Sequence, residues 1–214
     1  MEVIPFIYDT NDELLSNTYL VKDKSSRCVV IDPSSNYDGI INYIKKNNLS
    51  LKAILITHAH FDHIGGLDRL AKAFNVPTYA HYEELETFTS PHLNCSEDFS
   101  IKGITAKSKI TTVDEGDIIK GLEEDIKVIH TPYHTRGSIC FYFPISQLLF
   151  SGDSLFLYSF GRTDLPTSIP SKLKESINKL MELNDDTKVY PGHGRFTNIG
   201  NERRFLYMHE GYRR

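Results

Sequence analysis

The sequence is poor in the residues that staple or anchor a chain. It has three cysteines, Cys28, Cys95 and Cys140, and no tryptophan. The cysteines are odd in number and widely spaced, with no CxxC pair. This excludes a disulfide framework and a thiolate zinc knuckle, and a reducing, cytoplasmic setting is expected. No stretch reaches the roughly 18 apolar residues of a membrane span. The N-terminal MEVIPFIYDTNDELL has neither the basic segment nor the continuous apolar core of a secretory signal. No excess of one charge stands out either: 24 basic residues face 28 acidic ones, a net charge of −4 with histidine neutral. That balance argues against nonspecific binding to nucleic acid or to an anionic membrane. Internal repeats, low-complexity tracts and long linkers are missing too, so residues 1–214 are expected to form a single domain. A chain of this length buries roughly 70–75% of its unfolded surface and is stable without a structural metal, so any metal it binds is functional.

Nine histidines are present against those three cysteines and three methionines, and their placement decides the reading. Periodicity sets the frame first. Segments 3–8, 18–23 and 27–32 are short, β-branched or aromatic, and separated by polar turns, as strands of a meander should be. The turn PSSNYDG leads into a helix from Tyr37 to about Asn47, stopped by the Asn47–Asn48 pair. A buried strand at 53–57, a helix carrying Leu67, Leu70, Ala71 and Phe74, and a strand at 78–81 follow. The interval from about 86 to 109 is the least regular. Further strands are expected at 125–130, 138–143, 147–152 and 187–192. A helix is expected with Ser171 as its N-cap, four residues ahead of Glu175, and a terminal helix near Asn198. Strand clusters interleaved with single helices in both halves imply two sheets covered by helices, a four-layer αββα sandwich of the α/β class.

At the C-terminal end of the strand AILIT sits THAHFDH, which gathers His58, His60, Asp62 and His63. At this chain's composition an HxHxDH string arises by chance in roughly one such sequence in a thousand. Imidazole and carboxylate together suit Zn²⁺, and also Fe²⁺ or Mn²⁺. Alternate residues of an extended loop share a side, so His58 and His60 can reach one ion while Asp62 and His63 lie near a possible second. Three more residues end strands in the same way: His134 in HTPYHTRGS, Asp153 in FSGDS and His193 in PGHG. Each is ringed by Gly, Pro or small residues that let the backbone turn sharply. Taken singly, a loop histidine is more often exposed or hydrogen-bonded than a ligand. Four strand ends that could share one sheet edge are harder to dismiss, because five histidines and two aspartates suffice for two ions sharing a carboxylate. Asp32, ending VVID, reads as a supporting carboxylate, Cys140 as a small apolar residue in its strand, and His81, His92, His130 and His209 as ordinary histidines.

From NTYLV through VVIDP, THAHFDHIGG, HTPYHTRGS, SGDSLF and GRTDLP to VYPGHG and TNIGNERR, the chain resembles the metallo-β-lactamase superfamily. It is most similar to the short glyoxalase II-like, hydroxyacylglutathione hydrolase-like branch. The resemblance implies the αββα fold, a first metal on His58, His60 and His134, a second on Asp62, His63 and His193, and Asp153 bridging them. It also implies a thioester as the small-molecule substrate, with zinc the expected metal. Coordination lowers the pKa of water to about 7, so a hydroxide between two ions can attack a carbonyl without a serine or cysteine nucleophile. Consistently, the sequence has no GxSxG elbow, and the GxxxxG of Gly116–Gly121 is followed by Leu122 where a P-loop needs lysine. Asp62 is the side chain expected to orient the hydroxide or take its proton.

Two further residues are candidates for substrate contact. Arg162 in FGRTDL can meet an anionic group or form a surface salt bridge, and Tyr133 stands where relatives usually carry a small residue, so it either lines and narrows the pocket beside His134 or is a tolerated turn substitution. Tyr207 and Met208 also depart from the branch, which commonly has Asn-Pro there. Two other readings compete. An iron-dependent persulfide dioxygenase of the same fold would use His58, His134 and Asp153, and a non-catalytic metal-binding domain would keep the fold without the chemistry.

Overall fold

The structure, a computed structural model, describes residues 1–6, 15–34, 37–98 and 103–208. Residues 7 and 8 of the first expected strand, and His209, lie outside the described residues. Strands β1 (Glu2–Phe6), β2 (Thr18–Lys22), β3 (Arg27–Ile31), β4 (Ser50–Leu55), β5 (Thr78–His81) and β6 (Ile110–Val113) form one six-stranded sheet in that order. Strands β7 (Ile118–Ile119), β8 (Ile126–His130), β9 (Ile139–Phe143), β10 (Leu148–Gly152), β11 (Lys188–Pro191) and β12 (Thr197–Asn198) form a second, also in sequence order. Pairing in the first sheet is antiparallel up to β3 and parallel from β3 to β6. In the second it is antiparallel except between β10 and β11. Parallel neighbours need long crossovers. Helix α1 (Tyr37–Lys46) supplies the one from β3 to β4, α2 (Phe61–Ile64) with α3 (Leu67–Phe74) the one from β4 to β5, and α4 (Leu173–Leu180) the one from β10 to β11. Helix α5 (Ile199–Met208) ends the described chain.

Strict alternation sends each strand's side chains two ways. Tyr19, Val21, Val29, Ile31 and Leu55 meet Val128, Phe141, Phe143 and Phe150 between the sheets. Leu20, Val30, Ile54 and Ile56 turn outward beneath Ile40, Ile44, Leu67 and Leu70 of the helices. Ile129, Cys140, Leu149 and Val189 turn outward beneath Ile177, Leu180 and Ile199. Both faces of each sheet are thus covered, which is why the central strands read as unbroken apolar runs, and the four layers are α, β, β and α.

Several boundaries differ from the sequence reading. The N-cap expected at Ser171 is not there: Pro170–Lys172 form a 3₁₀ turn, and α4 starts after Lys172 without a side-chain cap. Proline at the first position presets the tighter turn and moves the α-helix on. Strands β6, β7 and β12 were not expected, since β7 and β12 are two residues each and give no periodicity to read. The asparagine stop after α1 holds, with Asn48 left-handed at φ 52° and Leu49 N–H donating to Ile44 O at 2.9 Å.

Candidate metal centre

Strand β4 of the first sheet ends just before the THAHFDH segment. Strands β8, β10 and β11 of the second run parallel to one another, so their C-terminal ends lie on one edge. His134, Asp153 and His193 follow those three ends. The functional edge therefore belongs to both sheets, one end from the first and three from the second, and not to a single sheet edge as the sequence allowed. The THAHFDH segment is also not extended throughout. His60 is extended at φ −63°, ψ 149°, but it is the N-cap of α2, and Asp62 and His63 ride on that single helical turn.

The seven side chains come together in two clusters. In the first, the donor atoms of His58, His60 and His134 lie within 4.8 Å of one another. His58 Nε2 and His134 Nε2 each stand 3.1 Å from His60 Nδ1. His134 Nδ1–H donates to Arg162 O at 2.9 Å, which leaves Nε2 with its lone pair facing inward. In the second, Asp62, His63 and His193 meet the same limit. His193 Nε2 is 3.0 Å and His63 Nε2 3.3 Å from Asp62 Oδ2. The carboxylate of Asp153 stands between the clusters, 3.4 Å from His63 Nε2, 3.4 Å from His134 Nε2 and 3.6 Å from His193 Nε2.

Charge and protonation separate the two. Burial drives the His60 imidazole down to about 3 and lowers those of His58 and His134, so the first cluster offers three neutral nitrogens. In the second, burial pulls the same way, yet Asp62, Asp32 and Asp153 outweigh it and raise His63, as Asp153 and Asp62 raise His193. Burial opposes ionisation of Asp62 and Asp153 as well, but their histidine neighbours hold both carboxyls below the ordinary range. The site attracts positive charge. His63 Nε2 and Asp153 Oδ1, which face each other across the site, are buried with no hydrogen-bond partner. Such orphans cost about 1–3 kcal/mol each unless something binds them, and a divalent cation satisfies convergent lone pairs of this kind. The donor set fits two ions.

Supporting groups fix the clusters from behind. Asp32 accepts from Thr57 N at 2.8 Å, Thr57 Oγ1 at 2.6 Å and His63 Nδ1 at 2.9 Å. Asp32 accepts at both oxygens, so His63 Nδ1 carries a hydrogen and Nε2 is the nitrogen that faces the site. Ser16 Oγ donates to Asp62 O, and Asn17 Nδ2 to Pro191 O and Gly194 O. Sequence reasoning missed Ser16, and Asn17 entered only as the first residue of the NTYLV stretch, with no role assigned. Gly192 explains the PGHG motif: a Cβ there would stand 2.2 Å from Asp153 Oδ1 and 2.7 Å from His63 Cε1.

A cavity of about 360 Å³ opens over the clusters. Phe61, Phe156 and Leu165 give it apolar walls, and Cys95 and Arg162 complete them. Burial pushes the Cys95 thiol up to about 11, too high for a thiolate nucleophile at neutral pH. Arg162 lies on the wall, but its guanidinium forks onto Asp164 at 2.6 and 2.7 Å, so the salt-bridge alternative is the arrangement present. Tyr133 does not line the cavity. It is fully buried, with its hydroxyl donating to the carbonyls of Ser154 and Asp153, because the preceding turn points the ring into the core beneath Leu155. The remaining described histidines stay apart from the site. His92 pairs with Glu97. His81 and His130 stack at 4.0 Å and 19° beside Glu83, and each has a hydrogen-bond partner, His81 Nε2 with Asp114 Oδ1 at 3.2 Å and His130 Nε2 with Arg136 O at 2.9 Å.

This geometry can be set beside known proteins. The family model described as "Metallo-beta-lactamase superfamily" matches residues 11–193. The chain belongs to that superfamily. A probable metallo-hydrolase, YqgX of Bacillus subtilis, is 36% identical over 186 residues, covering 86% of this chain and 87% of that protein. The hydroxyacylglutathione hydrolase GloC of Haemophilus influenzae is 33% identical over 190 residues, covering 88% and 90%. Among solved structures, BLEG-1 B3 metallo-β-lactamase superposes with a TM-score of 0.87 at 33% identity, covering 95% of this chain and 97% of that one. TTHA1623, in a di-iron-bound form, superposes with a TM-score of 0.83 at 33% identity, covering 94% and 98%. The expected αββα fold is therefore the superfamily fold, and the histidine and aspartate clusters suit a dinuclear metal site.

Proposed function

We propose that this chain is a metal-dependent hydrolase that cleaves a small acyl thioester of the hydroxyacylglutathione type. The observation that carries this reading is the convergence of five imidazoles and two carboxylates on the floor of a cavity whose walls offer no ionised nucleophile. His58, His60 and His134 would hold one ion, Asp62, His63 and His193 the other, and Asp153 would serve both. Zinc is the metal proposed. The same donors accept iron or manganese, and a relative that binds two irons keeps iron open. Two such ions would supply an activated water near neutral pH and charge for a developing oxyanion.

The chain's own residues do the rest. Asp62, on the cavity floor with its backbone carbonyl held by Ser16 Oγ, is the carboxylate that would take and return a proton. Phe61, Phe156 and Leu165 exclude water from an apolar acyl group. Arg162 stands at the rim, where a substrate carboxylate would replace Asp164. The test is a thioester panel run on the metal-free and zinc-loaded protein. Hydroxyacylglutathione hydrolysis that vanishes with chelation and returns with zinc supports the reading, and chelator-insensitive hydrolysis overturns it. The iron dioxygenase reading is checked in the same panel by oxygen uptake with glutathione persulfide, which hydrolysis does not produce.

A further inference from the structure

Glu84 lies in the 3₁₀ turn Tyr82–Glu84 that follows β5, within the acidic string HYEELE. Its side chain is completely buried. Three donors converge on it from two loops. Glu84 Oε2 accepts from Ala59 N at 2.7 Å, the peptide between His58 and His60. Glu84 Oε1 accepts from Thr135 Oγ1 at 2.7 Å and from Gly137 N at 3.0 Å, in the loop that carries His134. Only an ionised carboxylate offers acceptors at both ends and no hydrogen at either. Gly137 makes room for it, since a Cβ there would fall 2.7 Å from Glu84 Cγ and Oε1. The first ligand loop follows β4 of one sheet and the second follows β8 of the other, so this carboxylate ties the two sheets at the point where three imidazoles must meet.

The second cluster has its own ties, of which only Asp32 also reaches the first, through Thr57 Oγ1 at 3.2 Å from His58 Nδ1. Asp32 orients His63, Ser16 holds Asp62 O, and Asn17 holds the main chain on both sides of Gly192 and His193. None of these bonds reaches Glu84. We propose that Glu84 is a positioning residue that sets the spacing of His58 and His60 against His134, and so controls occupancy of that metal position and not of the one at Asp62, His63 and His193.

The proposal rests on the two-ion reading, and its test separates the two. Metal-free full-length wild type, Glu84→Gln and Thr135→Val are titrated with Zn²⁺ against a chromophoric chelator, with folding checked by circular dichroism. Glutamine keeps the shape, but its NH₂ must face the N–H of either Ala59 or Gly137, and neither can accept. Wild type is expected to take two equivalents. Glu84→Gln should keep one at wild-type affinity and bind the other roughly 10- to 100-fold more weakly, the usual effect of losing an outer partner of a metal ligand. Thr135→Val, which removes one of the three donors, should shift the same equivalent by less. On a His193→Ala background, Glu84→Gln should weaken the remaining tight ion. Two equivalents at wild-type affinity in Glu84→Gln, or equal weakening of both, overturns the assignment. If Glu84→Gln does not fold, unchanged affinities in Thr135→Val overturn it. Wild type that takes fewer than two equivalents overturns the two-ion reading and the clamp with it.

Discussion

Replacing Asp32 by asparagine separates folding from metal binding in a way the hydrogen bonds define. Asp32 Oδ1 takes the Thr57 N–H, while Oδ2 takes both the Thr57 hydroxyl and His63 Nδ1–H. With the asparagine oxygen facing Thr57 N, its NH₂ occupies the Oδ2 position. The Thr57 hydroxyl can rotate to accept one hydrogen. His63 can accept the other only with its proton moved to Nε2, the atom that faces Asp62 and Asp153. The metal-free variant keeps its hydrogen bonds but loses the Asp32 charge that raises His63, so it should fold and melt below wild type yet above Asp32→Ala. Binding an ion at His63 must return the proton to Nδ1 against an NH₂ group. The resulting buried mismatch costs about 1–3 kcal/mol, or about 5- to 150-fold in affinity. Zinc titration against a chelator should show the equivalent at His63 weakened by that factor and the other weakened less, because Thr57 Oγ1, which bonds Asp32, also stands 3.2 Å from His58 Nδ1. Asp32→Ala, which leaves three donors without acceptors, should lose stability as well. Two equivalents at wild-type affinity in Asp32→Asn would refute the argument that Asp32 sets the His63 tautomer.

Gly192→Ala should fold but lose activity by on the order of 100-fold, because the new methyl displaces Asp153 and a misplacement of about 1 Å costs that much; unchanged kcat/KM would contradict it. Arg162→Ala should leave the melting temperature nearly unchanged, as an exposed pair contributes at most about 1 kcal/mol. Its KM should rise for thioesters bearing a carboxylate and not for neutral ones. Asp23 is a pH-linked case away from the site. Burial raises its carboxyl, but hydrogen bonds from Arg27 and Ser25 outweigh that and hold it below its usual 3.8. Its stabilisation is then complete above the unfolded value and lost as pH falls through the lower folded one. Asp23→Asn should cost about 1.5–3 kcal/mol in urea unfolding at pH 7, and the difference should fade toward pH 2.

The sequence made helix α3 and the paired apolar faces legible because Leu67, Leu70 and Phe74, or Val29 and Ile31, repeat at helix and strand periods. It also made the strand-end cluster legible, since His58, His60, Asp62 and His63 share one short segment. Periodicity carries no information on which sheet a strand joins, so the meeting of β4 with β8, β10 and β11 across two sheets could not be read. Side-chain direction was equally hidden. Tyr133 sits one residue from His134 yet turns into the core, and Glu84 looks like its neighbours Glu83 and Glu86 although only Glu84 is fully buried. Such differences arise from tertiary packing and not from local composition.

The most direct test of the whole account is a zinc titration of the metal-free protein followed by hydroxyacylglutathione hydrolysis and metal content on the same samples. Activity should be absent without metal, rise with loading and saturate at two ions per chain. Full hydrolysis in metal-free protein, or saturation of activity and binding below two ions, would contradict a dinuclear hydrolase.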